Sequence, residues 1–316
     1  MKKLRILSLI ASLSFACSSL LHADDETDPL QVSKISPHPQ PDDVPDERPR
    51  PFSIVSTYDG VAKAKFKKRE YKGEHLDFST GSIEGGGVFY YNADYHEGFN
   101  LNLGFTATKI YWEHNYFLTQ HKFKTVTVSL GSFTERIDNW LWRAQIAVNA
   151  DEAGKKFTGA YLNYDLLIWG RYQYTPVIGI HTGFIVQTGM RMDKGWPIFG
   201  FDWQISHKWR LSVVYPVDIS LNYSFTPHWI IGGGARAFNT RHRIKRDECH
   251  SGYLVRYENV GAEFFVKYDN KNAIFNLHLG STLGGRYRVS NRENRHPHTF
   301  KLLGSFYGGA EANVRF

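Results

Sequence analysis

Between Phe300 and Phe316 the side chains alternate in character along the chain. Phe300, Leu302, Gly304, Phe306, Gly308, Ala310, Ala312, Val314 and Phe316 share one parity. Lys301, Ser305, Tyr307, Gly309, Glu311, Asn313 and Arg315 share the other, and only Leu303 interrupts that polar set. Side chains of a strand point to opposite faces with a period of two, so this segment presents an apolar face and a polar one. Such a strand can touch lipid on one side and water on the other.

The pattern recurs in segments of about 10 to 18 residues. From Ala273 to Val289, Phe275, Leu277, Leu279, Ser281, Leu283 and Tyr287 alternate with Asn276, His278, Gly280, Thr282, Arg286 and Arg288. Phe99 to Thr108, Trp142 to Asn149, Leu162 to Trp169 and Phe199 to Ile205 repeat it. A soluble β-sandwich also alternates, so two further features are needed to separate the classes. Short turns, as at Asp138-Asn139 and Ser206 to Lys208, alternate with longer polar loops, as at Lys67 to His75 and Ser290 to His298. Short turns at one end and long loops at the other are the asymmetry of a transmembrane barrel. Trp140, Trp142, Trp169, Trp203, Trp209 and Trp229 all fall near the short turns, where an interfacial aromatic belt is expected. The expectation is an all-β fold, a transmembrane antiparallel β-barrel.

Modest overall hydropathy does not oppose this, because only alternate residues need be apolar. Beyond the first residues no apolar run of 18 or more exists, so no helical span is expected. Residues 1–23 read as a cleaved signal peptide, with Lys2, Lys3 and Arg5 before an apolar stretch and Ala23 at the cleavage point. The alternative, lipidation at Cys17, lacks the usual Leu three residues earlier. Residues 24–51 hold eight acids, three bases and seven prolines, too little apolar surface to fold, and read as a disordered acidic lead-in. With three bases in the signal, the formal +7 of the chain leaves +9 on residues 52–316, the barrel. Aromatics at 15% and 28 glycines suit girdles and close strand approach.

A three-residue turn at Pro216-Val217-Asp218 gives fourteen strands with both ends in the periplasm. Twelve is the alternative, if Ser53 to Phe66 stays outside the wall. A last strand ending in Phe316, after an export signal, is also the form that outer-membrane assembly machinery reads. The stretch Pro197-Ile198-Phe199-Gly200-Phe201-Asp202-Trp203, then Lys208-Trp209-Arg210-Leu211, Pro216 and Leu221-Asn222-Tyr223 follow in order, with the terminal Phe. On these residues the chain, from Phe52 to Phe316, resembles a family of uncharacterised bacterial outer-membrane barrels carrying a domain of unknown function. The resemblance implies the fold and an outer-membrane location in a Gram-negative envelope; it implies no activity.

Parity places both signs of charge in the lumen: Arg143, Asp165, Arg171, Asp202, Arg210, Asp218, Arg236, Glu263, Lys267, Arg286, Arg288, Lys301, Glu311 and Arg315. They could line a selective pore or hold a narrow barrel shut. Nine are basic and five acidic, so an open pore would prefer anions. His181 and His278, with Ser220, Ser224 and Ser305, are also inward, but no local motif joins a serine to a histidine, and no catalytic residue is expected. Glu248-Cys249-His250 with His296 and His298 match no standard zinc spacing, so neither metal nor cofactor is expected. Cys249, the one cysteine of the mature chain, could form an intermolecular disulfide. Basic loops at Lys67, Lys68, Arg69 and Lys72, at Arg241, Arg243, Lys245 and Arg246, and at Arg292 and Arg295 suit lipopolysaccharide phosphate. Nucleic acid is not an expected partner of an exported chain; membrane lipid is, and a homo-oligomer is compatible.

The expected function is therefore a non-enzymatic pore for small hydrophilic, preferentially anionic solutes. The alternative is a closed-lumen structural or adhesive surface protein. Leu279→Arg is expected to impair insertion and His278→Arg, one residue away, to be tolerated better.

Overall fold

The computed structural model describes residues 51–115, 118–151, 159–246, 248, 250–270 and 272–316. The expected signal peptide, all of the lead-in except Pro51, and Cys249 lie outside them. The strands are β1 (Phe52–Lys65), β2 (His75–Asn92), β3 (Glu97–Trp112), β4 (Lys122–Thr134), β5 (Trp140–Asp151) and β6 (Leu162–Thr175). β7 (Ile178–Gly189), β8 (Lys194–Gln204), β9 (Trp209–Tyr215), β10 (Asp218–Ser224), β11 (Trp229–Arg243) and β12 (Leu254–Asp269) follow. The last are β13 (Ala273–Thr282), β14 (Arg286–Ser290), β15 (His298–Lys301) and β16 (Phe306–Arg315).

Each strand from β1 to β12 pairs antiparallel with the next, and β16 pairs with both β13 and β1, which closes the ring. β13 and β14 pair with successive parts of β12 and form one interrupted wall strand. β15 and β16 form another, so the barrel has fourteen. β1 lies in the wall, and β9 and β10 form the hairpin anticipated at Pro216. Closure pairs the backbone groups that an open edge would leave bare in lipid.

The interruptions reset the side-chain parity. Leu283 keeps the outward parity of Leu279, whereas Leu303 is exposed outside and Tyr287, Phe300 and Leu302 are buried inside, the reverse of what unbroken alternation gives. Leu303, the odd residue of the terminal pattern, marks the slip. Three neighbouring strands break at one level: β1 between Val61 and Ala64, the second at 283–285 and the third at 302–305. Thr282 N–H donates to the Ser305 carbonyl, Leu302 N–H to that of Gly285, and Leu303 N–H to that of Lys65, which ties the breaks together. Gly284 has φ +96, and a Cβ at Gly285 would lie 2.1 Å from the Glu258 carbonyl oxygen. Gly285→Ala is therefore expected to cost about 1–3 kcal/mol by overpacking, read as a lower denaturant midpoint.

Above that level β11, β12 and β14 leave the cylinder and cross its interior, with β15 at the edge of their sheet where its end meets the end of β1. β10 pairs with β11 only as far as Gly234, so residues 235–243 have a ladder on the β12 side alone. β4 and β11 are opposite in a ring of fourteen, yet Phe123 stacks on His242 at 4.7 Å and Asp151 accepts from the Arg243 N–H at 2.9 Å. Phe78 of β2 stacks on Tyr257 of β12 at 4.2 Å, and Trp112 meets Phe300 edge-on at 5.0 Å. These rings form an apolar cluster with Val61, Leu76, Ile110, Val255 and Val289 that fills the outer half of the lumen beside β1–β4. On the other face of the same sheet Arg256 donates to Met192 Sδ at 3.1 Å, and Glu258 pairs with Arg256, Arg286 and Lys194. Both faces of the inward sheet are thus covered.

Outside, exposed apolar residues band the wall, among them Leu103, Leu130, Ile146, Phe199, Phe264, Leu277 and Leu279. Trp203, Trp209 and Trp229 are exposed near the short turns, and Trp140 stacks on Trp142 at 5.0 Å. Trp169 does not join this belt. It is 9% exposed and faces the lumen, as its parity with Asp165 requires.

Candidate functional site: a polar chamber in the lumen

Below and beside the inward sheet lies a cavity of about 440 Å3. Ten of the fourteen charges anticipated for the lumen line it: Arg143, Asp165, Arg171, Asp202, Arg210, Asp218, Arg236, Glu263, Lys267 and Glu311. Alternation on β5, β6, β8, β9–β12 and β16 delivers them, since each strand contributes every second residue.

Two clusters organise the lining. In the first, Arg236 of β11 donates to both oxygens of Glu263 at 2.6 and 3.2 Å and to Glu311 at 2.8 Å. Asp59 lies 3.8 Å from the same guanidinium and bonds His278 Nε2 at 2.7 Å. Tyr307 donates its hydroxyl to Glu263, and Asn276 donates to Glu311. In the second, Arg171 of β6 forms a fork with Asp202 of β8 at 3.0 and 3.1 Å. His181 Nε2 lies 2.5 Å from that carboxylate, and Trp169 Nε1 donates to His181 Nδ1 at 3.1 Å. That geometry fixes His181 as the tautomer protonated on Nε2. Arg143 stands 5.5 Å over the Trp169 ring.

The remaining anticipated charges fall elsewhere. Arg315 is buried at the C-terminal end of β16, outside the chamber lining. Arg286 and Arg288 follow the parity slip onto the face opposite Tyr287, where Arg286 pairs with Glu258 and Arg288 adjoins Arg256. Lys301 is exposed on the outside of the wall. These three depart from the sequence expectation because Gly284, Gly285 and the 302–305 break shift the alternation by one residue.

Three further charged side chains, Asp59, Glu84 and Arg241, line the chamber beside those expected from the sequence. Asp59 and Glu84 obey the alternation of their strands and could have been found from it. Arg241 could not, since the inward turn of β11 brings its outer face into the lumen. With these three included, the lining has six bases and seven acids. The basic excess that favoured anions is absent.

The chemistry candidates resolve plainly. His181 and His278 each bond a carboxylate, whereas Ser220 donates to Asp218 and Ser305 to the Ala62 carbonyl. Among the described residues no three His, Cys, Asp or Glu side chains converge as metal ligands. His250 stacks edge-on against Tyr253 and Glu248 accepts from Thr119. In the basic loops Lys67, Lys68 and Arg69 are exposed, but Arg243 is buried and donates to the Gly252 carbonyl.

The wall is that of an outer-membrane-type β-barrel. The chain is 25% identical over 283 residues to an uncharacterised protein of Chlamydia pneumoniae, covering 84% of this chain and 88% of that one. It is 23% identical over 239 residues to one of Chlamydia trachomatis serovar D, covering 69% and 74%. No family model matches. These relatives accord with the resemblance to uncharacterised barrels. Similar solved structures include an outer membrane channel from Pseudomonas putida F1, with 10% identity, 88% of this chain and 100% of that chain covered, and a TM-score of 0.47. A Pseudomonas aeruginosa FadL homologue has 9% identity, covers 84% and 90%, and has a TM-score of 0.44.

Proposed function

We propose that this barrel is a non-enzymatic outer-membrane channel whose path for small hydrophilic solutes runs through the polar chamber and past the inward sheet. The observation that supports it is the chamber. Its volume of about 440 Å3 is that of a site for a small molecule, and its walls converge charged groups of both signs. With acids and bases nearly equal, the lining suits neutral or zwitterionic solutes and has little field to concentrate simple anions.

Single-channel recording on purified, refolded protein tests this. Small unitary currents are expected, with a reversal potential near zero in a salt gradient. A truncation that replaces residues 237–257 of the inward hairpin by a short turn should raise the conductance severalfold. A clear anion preference would restore the original selectivity and overturn the zwitterion reading. Silence from both proteins would support the closed structural alternative.

A further inference from the structure

We infer that the exterior of the wall at β15 and β1–β4 is a docking site for the phosphates of lipid A, the membrane anchor of lipopolysaccharide. The residues are Lys63 and Lys65 on β1, Lys109 on β3, Lys122 and Lys124 on β4, and Lys301 on β15. All six are exposed. They differ from the basic loops in lying on strands and pointing outward.

Each lysine sits just above its strand's lipid-facing band. On β3, Lys109 follows the outward series Phe99, Leu101, Leu103, Phe105 and Ala107. On β4, Lys124 precedes Val126, Val128 and Leu130, all exposed. On β1, Lys63 and Lys65 continue beyond Ile54, Tyr58 and Ala62, and the break between Val61 and Ala64 turns both outward. Lys301 stands above Leu303 and Phe306, beside the end of β1, where its carbonyl accepts the Lys67 N–H at 2.9 Å. Neighbouring strands are about 4.8 Å apart, so the row spans a few lipid headgroups at the level where the apolar band ends.

The pairing within the row brings two ammonium groups face to face. Lys109 and Lys122 are direct register partners, and Lys124 is diagonal to Lys109. Like charges directly opposite across a ladder repel. Among the described residues no carboxylate lies within ion-pair distance of Lys63, Lys65, Lys109, Lys122 or Lys301. Asp77, the acid within the row, has one carboxylate oxygen taken by the Lys63 backbone N–H at 2.7 Å. Lys109 Nζ lies 5.5 Å from the Tyr111 ring, an interfacial side chain beside the charge. Lysine pairs with phosphate as a point charge, and each cation near an anionic headgroup layer adds to binding.

The test is native mass spectrometry of the purified full chain in detergent. It would be titrated with bisphosphorylated lipid A, dephosphorylated lipid A and phosphatidylglycerol. Wild-type protein should bind bisphosphorylated lipid A on the order of a hundredfold more tightly than the variant K65Q/K109Q/K122Q/K124Q. Lys109→Gln and Lys122→Gln should each cost about fivefold, which keeps the test decisive if the quadruple variant does not fold. The loop variant K67Q/K68Q/K72Q should bind like wild type. Equal binding by wild type and the belt variants overturns the inference, as does a loss carried by the loop variant. Phosphatidylglycerol binding as tightly, with the same lysine dependence, would replace lipid A by anionic phospholipid in general.

Discussion

Leu279→Arg is expected to destabilise the membrane-inserted barrel by about 2–4 kcal/mol, the cost of a cation at mid-depth on the lipid face of such a wall. Leu279 points outward from β13 and is 72% exposed, so nothing in the protein can shield the charge. Thr127→Arg places the same side chain on the chamber side of β4, where solvent and carboxylates are available. That change should cost about 1 kcal/mol, the loss of the Thr127 hydroxyl's bond to Asn149. The measurement is the denaturant midpoint of protein folded into vesicles, with the gel mobility of unboiled samples reporting closure. Equal losses for the two variants would mean that the faces are misassigned. His278→Arg, which alternation alone suggests is tolerated better, should be damaging. His278 is fully buried against Asp59, and the backbone of Gly309 is packed close to its ring.

The reversal at His278 shows where the sequence is legible and where it is not. Alternation is a local property, so strands such as β3, β4 and β13 and the faces of Leu101, Val128 and Leu277 could be read directly. The turn at Pro216 and the count of fourteen followed from parity and from the need for both ends to meet. Inside the wall, parity says which way a side chain points but not how much room it finds there. Asp59 and His278 are 219 residues apart and adjacent only because β1 and β13 flank β16.

The inward sheet was illegible for a different reason. The segment from Leu254 to Gly261 is buried on both faces, and each of its parities mixes apolar with polar residues, so a period of two assigns it no lipid face. Its clue was compositional: Tyr257 is a large ring at a position where the lumen of a simple pore would carry a polar group. Tyr287 follows Gly284 and Phe300 precedes Leu303, the points at which the parity resets. A strict period of two carried through those points put Arg286, Arg288 and Lys301 on the wrong side. A reader who treats Leu303 as a register mark recovers them.

Arg236→Leu is expected to cost about 3–5 kcal/mol, because it removes one charge and strands three. The guanidinium is the shared partner of Glu263, Glu311 and Asp59, whose side chains are 8%, 2% and 9% exposed. A leucine of similar reach fills the space but offers those carboxylates no donor, and their separation from water leaves the repulsion poorly screened. Arg236→Lys should recover only part of the loss. An ammonium can meet one carboxylate well, whereas the planar fork now serves both oxygens of Glu263 and one of Glu311 together. The diagnostic experiment adds Glu263→Gln and Glu311→Gln to Arg236→Leu. If the loss arises from stranded charge, the triple variant should regain most of the midpoint shift in guanidinium unfolding. If it arises from lost packing, the added substitutions should lower stability further. Recovery would identify the cluster as a neutralised strut between β11, β12 and β16, and failure to recover would make Arg236 a space-filling residue whose charge is incidental.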